Sequence, residues 1–274
     1  MGVEGARRQG EGSNGAGDLH VTMHTFDSFA FPTMSDPTRL AKRVTELSSC
    51  SRREAEQYIE GGWVRVDGQI VEEPGAKVLP EQTVELMPGA SLQEIEPVTI
   101  LLNKPAGHAA GMDPLAAIEL VTAESHFVDD RSDIRFLKKH LTNLTSTDPL
   151  GIQASGLMVL TQNWRVARTL VEDAAKIEHE YIVEVAGDMV SNGLQLLNHG
   201  LTFNRRALAP IKVSWQNETR LRFALKGTQK GQIVHMCEQV GLTVIAMKRI
   251  RIGRVPMATL PIGQWRYLLG YERF

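Results

Sequence analysis

A chain of 274 residues with 42% hydrophobic and 23% charged residues has the composition of one or two ordinary globular domains. No stretch approaches the ~20 apolar residues a membrane-crossing helix needs, and the first residues lack a signal-peptide apolar region, so a cytoplasmic chain with no membrane partner is expected. The formal net charge of -2 gives no global signal for nucleic acid, and Cys50 and Cys237 match neither a metal-ligand spacing nor a disulfide framework, so both are read as reduced thiols and no metal is expected.

Residues 1–34 are rich in Gly and polar side chains without sustained periodicity, which predicts a disordered tail. From Ser35 the pattern changes. Leu40, Val44 and Leu47 fall at helical spacing, with Arg39, Lys42 and Arg43 on other parts of the surface. In Cys50-Ser51-Arg52-Arg53-Glu54-Ala55 the spacing of Ser51 and Glu54 is that of a capping box, so a second helix starts at Ser51 and carries Arg52 and Arg53 in its first turn. Cations there oppose the helix dipole, and a ligand bearing negative charge would account for them. Val64-Arg65-Val66, Asp67-Gly68 and Gln69-Ile70-Val71 then read as a tight hairpin, and Val84-Glu85-Leu86 as a further strand.

Helix, CSRREA, helix and VRVDGQIV over residues 39–86 resemble the S4 RNA-binding domain. The resemblance implies that the basic face of the two helices binds structured RNA, and it makes Arg39, Lys42, Arg43, Arg52 and Arg53 candidate phosphate contacts, which position RNA without reading its sequence.

Residues 87–97, with Pro88, Gly89 and Pro97, read as a linker, and an apolar strand over residues 99–102 leads into Asn103-Lys104-Pro105-Ala106-Gly107. Residues 135–144 form a basic turn or short helix. Asp148-Pro149-Leu150-Gly151-Ile152-Gln153-Ala154-Ser155-Gly156 then reads as a polar loop feeding a strand at residues 157–160 whose uninterrupted apolar run predicts cover on both faces. A helix over 165–178, strands at 180–185 and 221–225, a helix over 232–240 and a strand at 243–247 follow. The fold class is therefore α+β: a small α/β module at residues 35–87, a linker at 88–97 and a larger mixed-sheet domain at 98–274. Between Glu238 and Glu272 no acidic residue occurs, while Lys248, Arg249, Arg251, Arg254 and Arg266 are basic, so this end is expected to present a one-signed surface to phosphate.

Strand followed by N-K-P-x-G resembles the opening motif of ribosomal RNA pseudouridine synthases that carry an S4 domain, and the resemblance continues to the C-terminus. It implies a synthase-like fold, structured RNA, ribosomal RNA by this likeness, as the partner, a monomer, and no cofactor. Isomerisation requires the target nucleotide to be flipped from its stack. Within the family, an aspartate in R-L-D-x-x-x-S-G-L acts on the ribose, an arginine in R-Q-I-R-R-M holds that carboxylate, and a tyrosine stacks on the base. By the same resemblance Tyr181 is the stacking residue and Lys104 and Gln232 are candidate RNA contacts, to which the basic C-terminal stretch adds Lys248 and Arg249.

Register through Ser155-Gly156-Leu157 leaves Gly151 at the aspartate's place, and Gly231-Gln232-Ile233-Val234-His235-Met236 replaces all three arginines of the later motif. Carboxylate and cation are expected to have gone together, since either one alone would be an uncompensated buried charge. Asp148 is a weak substitute: three residues of extended loop displace a carboxylate by ~10 Å. Three functions follow: an RNA-binding descendant without catalysis, a synthase that uses Asp148, and a protein-interaction module that no longer binds RNA.

Overall fold

The computed structural model describes residues 36–109, 116–148 and 150–274. The expected disordered tail and Pro149 lie outside them. Residues 37–274 form one compact unit, and none of its helices is long and apolar enough to cross a membrane.

The first layer is built by β1 (Thr38–Arg39), α1 (Leu40–Ser48), α2 (Arg52–Glu60), β2 (Val64–Val66), β3 (Gln69–Ile70), β4 (Lys77–Val78) and β5 (Val84–Leu86). Leu40 and Val44 of α1 pack with Ala55 and Ile59 of α2 over Val64, Val66 and Val84, a core of their own. Leu47, expected on the same face, is 56% exposed because the helix ends at Ser49 in a left-handed turn. The capping box at Ser51 forms as the spacing requires, with Glu54 N donating to Ser51 Oγ at 3.3 Å and Ser51 N to Glu54 Oε2 at 2.7 Å. Asp67 and Gly68 both take positive φ, the turn chemistry that joins β2 to β3.

The larger part runs β6 (Thr99–Lys104), β7 (Thr145–Ser146), β8 (Ala154–Thr161), α3 (Trp164–Glu172), β9 (Glu178–Ala186), α4 (Gly193–Asn198), β10 (Thr202–Phe203), β11 (Arg206–Ala207), β12 (Lys212–Asn217), β13 (Arg220–Lys226), α5 (Gln232–Gln239), β14 (Thr243–Ile252), β15 (Val255–Pro256) and β16 (Trp265–Tyr267). A mixed sheet orders them β12-β13-β9-β14-β8-β6-β16, and β14 alongside β8 is its parallel pair. Helix α3 is shorter than its periodicity suggested, because Asp173 closes it and residues 173–176 turn toward β9.

The two halves of this sheet differ in cover. In β6 and β8, Ile100, Leu102, Met158 and Leu160 join one cluster with Trp265 and Tyr267, while Leu101, Leu157 and Val159 join another with Leu170 of α3. That is the double burial the apolar run at 157–160 predicted. In β9 and β13 alternate residues, Tyr181, Val183, Leu221 and Phe223, face α4 and α5, and the other face carries charge. The loop entering β8 therefore rises from the best-buried part of the sheet.

Candidate nucleic-acid interface and base pocket

On the S4-like module, Arg39, Lys42, Arg52 and Arg53 are exposed and Arg43 is half-buried. Arg39, Lys42 and Arg52 line a cleft of about 600 Å³ closed by Pro74 and Gly75. Glu46 and Glu56 share the cleft, paired with Lys42 at 4.0 Å and with Arg52 at 2.9 Å. Such exposed pairs contribute only a few tenths of a kcal/mol and are screened by salt, so a phosphate can take either cation. Arg53 enters no ion pair among the described residues.

The second site lies where the polar loop enters β8. A cavity of about 670 Å³ is lined there by Asp148, Gly151, Tyr181, Val234, Thr228 and Arg249, among others. Gly151, set by the sequence resemblance at the aspartate's position, lies where an added Cβ meets nothing within 4 Å. Val234 lies on α5, whose N-cap Gly231 takes φ 80°, a conformation that favours glycine. Tyr181 is 4% exposed and is the cross-strand neighbour of Arg249.

Two expectations need correction here. Asp148, expected to lie away from the site, lines the same cavity as Gly151. A carboxylate–cation pair from other positions is present at the cavity. Arg249 Nη1 donates to Asp148 Oδ2 at 2.7 Å, Nη2 donates to the Asp148 carbonyl at 2.9 Å, and Nε donates to the Leu157 carbonyl at 2.8 Å. Arg249 is 1% exposed, so a nearby counterion is obligatory, and Asp148 supplies it. Gly156 makes the approach possible, since any side chain there would overlap the backbone of Arg249.

His179 completes the cluster. Its Nε2 lies 3.3 Å from Asp148 Oδ2, and Nδ1 has no hydrogen-bond partner among the described residues. Burial pushes its pKa down to about 4, against the attraction of Asp148 and with help from Arg249 and Arg251. The ring is thus neutral at pH 7. Period two along β9 puts His179 on the face of Tyr181, a signal the sequence did contain. Nothing comparable marks Arg249 as inward, because a charged strand residue normally faces water.

Three residues expected to touch RNA are internal. Lys104 is fully buried and donates from Nζ to the carbonyls of Pro105 at 2.9 Å, His108 at 2.8 Å and Ile152 at 3.3 Å, tying the turn after β6 to the turn before β8. Burial first, and Arg249 second, lower its pKa to about 8. Gln232, 4% exposed, accepts from Gln229 N at 3.0 Å and closes the turn before α5. Arg249 is committed to Asp148. Lys248 is half-buried and makes no ion pair among the described residues.

The one-signed basic C-terminal surface is also corrected. Arg251 bridges Glu178 at 2.6 Å and Glu180 at 2.8 Å, Arg266 pairs with Glu272 at 2.7 Å, and Arg254 is the exposed cation that remains. The carboxylates arrive from β9 and the chain end, which adjacency in sequence hides. Both cysteines are free thiols, and burial pushes that of Cys237 up to about 12.

With this geometry in hand, likeness to known proteins can be placed. The model of the S4 domain matches residues 38–84. The ribosomal large subunit pseudouridine synthase B of Bacillus subtilis is 26% identical over 240 residues, covering 85% of this chain and 93% of that protein. The dual-specificity RNA pseudouridine synthase RluF of Escherichia coli is 28% identical over 240 residues, covering 85% of this chain and 76% of its own length. A solved pseudouridylate synthase superposes with a TM-score of 0.53 at 20% identity, over 84% of this chain and 95% of that one, a likeness of fold. The chain thus carries an S4 domain and is similar over 85% of its length to RNA pseudouridine synthases.

Proposed function

We propose that this protein binds structured RNA, ribosomal RNA by the likeness of its relatives, and takes a flipped base into the Tyr181 pocket without isomerising it. The observation that carries this reading is the state of the pocket's acid. Gly151 offers no carboxylate, and Asp148 already shares Oδ2 between Arg249 and His179. Arg39, Lys42, Arg43, Arg52 and Arg53 supply the phosphate contacts, and Tyr181 the stacking surface. The same reading takes residues 35–87 as the S4 module, 88–97 as the linker and 98–274 as the synthase-like domain, in a cytoplasmic monomer.

The test is release of tritium from RNA labelled at C5 of uridine, beside a filter-binding titration. Binding without release above background is expected, and stoichiometric release would overturn the reading. Gly151→Asp fits the open space beside residue 151 but lacks the family cation, so release is expected only when Val234→Arg accompanies it.

A second reading, retained activity through Asp148, has one observation in its favour: no hydrogen bond among the described residues reaches Oδ1, which leaves one oxygen for the ribose. Under that reading the unaltered chain releases tritium and Asp148→Asn abolishes the release.

A further inference from the structure

We propose that residues 135–142 form a clasp that fixes the S4 module against the synthase-like domain, with Arg135 as the positioning residue that sets the span between phosphate-binding helices and base pocket; the span rests on the RNA-binding reading above. One side of the segment grips the S4 module. Arg135 Nη2 donates to the Gly62 carbonyl at 2.7 Å, and its guanidinium carbon lies 5.4 Å from the centre of the Trp63 ring. Lys138 N donates to Glu72 Oε2 at 2.5 Å, and Lys139 Nζ lies 3.2 Å from Glu60 Oε1.

The other side grips the sheet. His140, 3% exposed, bonds through Nδ1 to the hydroxyl of Tyr267 at 2.7 Å, and Phe136 packs on Trp265 with ring centres 5.4 Å apart. Gln162, in the turn after β8, donates from Nε2 to the carbonyls of Lys139 at 2.8 Å and Thr142 at 2.7 Å. Burial alone would leave a short polar loop like this one unsupported. Instead its backbone is held from the S4 module and from the turn after β8, and its side chains from β16.

Gly62 reveals how close the fit is. It takes φ +67°, and a Cβ there would collide with the Arg135 guanidinium and press on Leu137. The Arg135 guanidinium and Leu137 thus pack directly against the backbone at Gly62. Two RNA-binding surfaces on one rigid frame act as a bivalent site whose effective concentration depends on span, and rigidity reduces the ordering cost of binding. An RNA whose stem and target loop match the span gains from both surfaces, and one with a different separation engages only the helices.

The experiment has two arms on the full chain. Nitroxides are attached in a Glu81→Cys, Glu218→Cys, Cys50→Ser background, at exposed sites on the S4 module and on the turn between β12 and β13. A single narrow distance distribution is expected, broadened by Arg135→Ala with Lys139→Ala. A broad distribution in the parent, or one the double variant leaves unchanged, would overturn the clasp. In the second arm the same double variant is titrated with an RNA containing stem and target loop and with the stem alone. Affinity for the longer RNA should fall by about tenfold or more, with the stem unchanged. Equal loss on both RNAs, or loss on neither, would overturn the span. Failure of the parent to bind either RNA would overturn the RNA reading and the span with it, whereas the distance arm decides the clasp by itself.

Discussion

Helix α2 and strand β14 both carry closely spaced arginines, and they hold them in opposite ways. On α2, Arg52 and Arg53 point into solvent at the helix N-terminus, with one screened partner, Glu56. On β14, Arg249 is sealed against Asp148 and Arg251 bridges two glutamates of β9. A cation in water keeps its attraction for phosphate, whereas a cation matched to a buried carboxylate has spent it on the fold. Basic composition alone is thus a poor guide to an RNA surface. What counts is whether the neighbouring strand brings acids.

The largest effect should come from breaking the β14 arrangement. Arg249→Ala leaves the Asp148 carboxylate without its cation beside a half-closed pocket, and urea denaturation should show a loss of about 3–5 kcal/mol. A loss below ~1 kcal/mol would mean that the pair is dispensable, the usual result for an exposed one.

Next is the pH dependence written into the same cluster. His179 has a folded pKa of about 4, below the ordinary value of 6.5, so the unfolded chain binds its proton first. Stability should therefore fall as pH drops from about 6.5 to 4, by up to roughly 3 kcal/mol if the whole shift is expressed. His179→Asn should flatten that slope, and an unchanged slope would place its origin elsewhere. Lys104 works at the other end of the scale. With a folded pKa of about 8 against 10.5, the folded chain loses this proton first, so stability should rise between pH 8 and 10.5. Lys104→Met removes the titrating group and should remove the rise.

The smallest stability effect belongs to α2, where the functional effect should be clear. Replacing Arg52 and Arg53 by alanine takes two cations from a helix N-terminus and should leave the melting temperature within about 2 °C. The logarithmic salt dependence of RNA binding should become shallower by about two. Equal binding by this double variant would remove α2 from the interface and with it the contrast to β14.

Much of the fold could be read in advance. The Ser51–Glu54 capping box, the Asp67-Gly68 hairpin and the apolar run of β8 are local patterns whose physics acts within a few residues, and each formed as read. Helix α3 and Leu47 went astray at their ends, where Asp173 and Ser49 stop the helices before the periodicity does. Strand β12 and helix α4 had too little periodicity to be seen.

Of the candidate site, sequence determined which residues could be compared: Gly151 and Val234 at the positions the resemblance singles out, Tyr181 on its strand, and five cations on or just before two short helices. Tertiary structure decided what surrounds them. It set Asp148 and Gly151 on one cavity, and it buried Arg249 against the Asp148 carboxylate, 101 positions away in the chain. It also turned Lys104 inward onto three carbonyls. The physical reason is one of range: caps, turns and strand runs are fixed by neighbours in sequence, but the partner of a buried charge is chosen by whichever strands the sheet sets side by side.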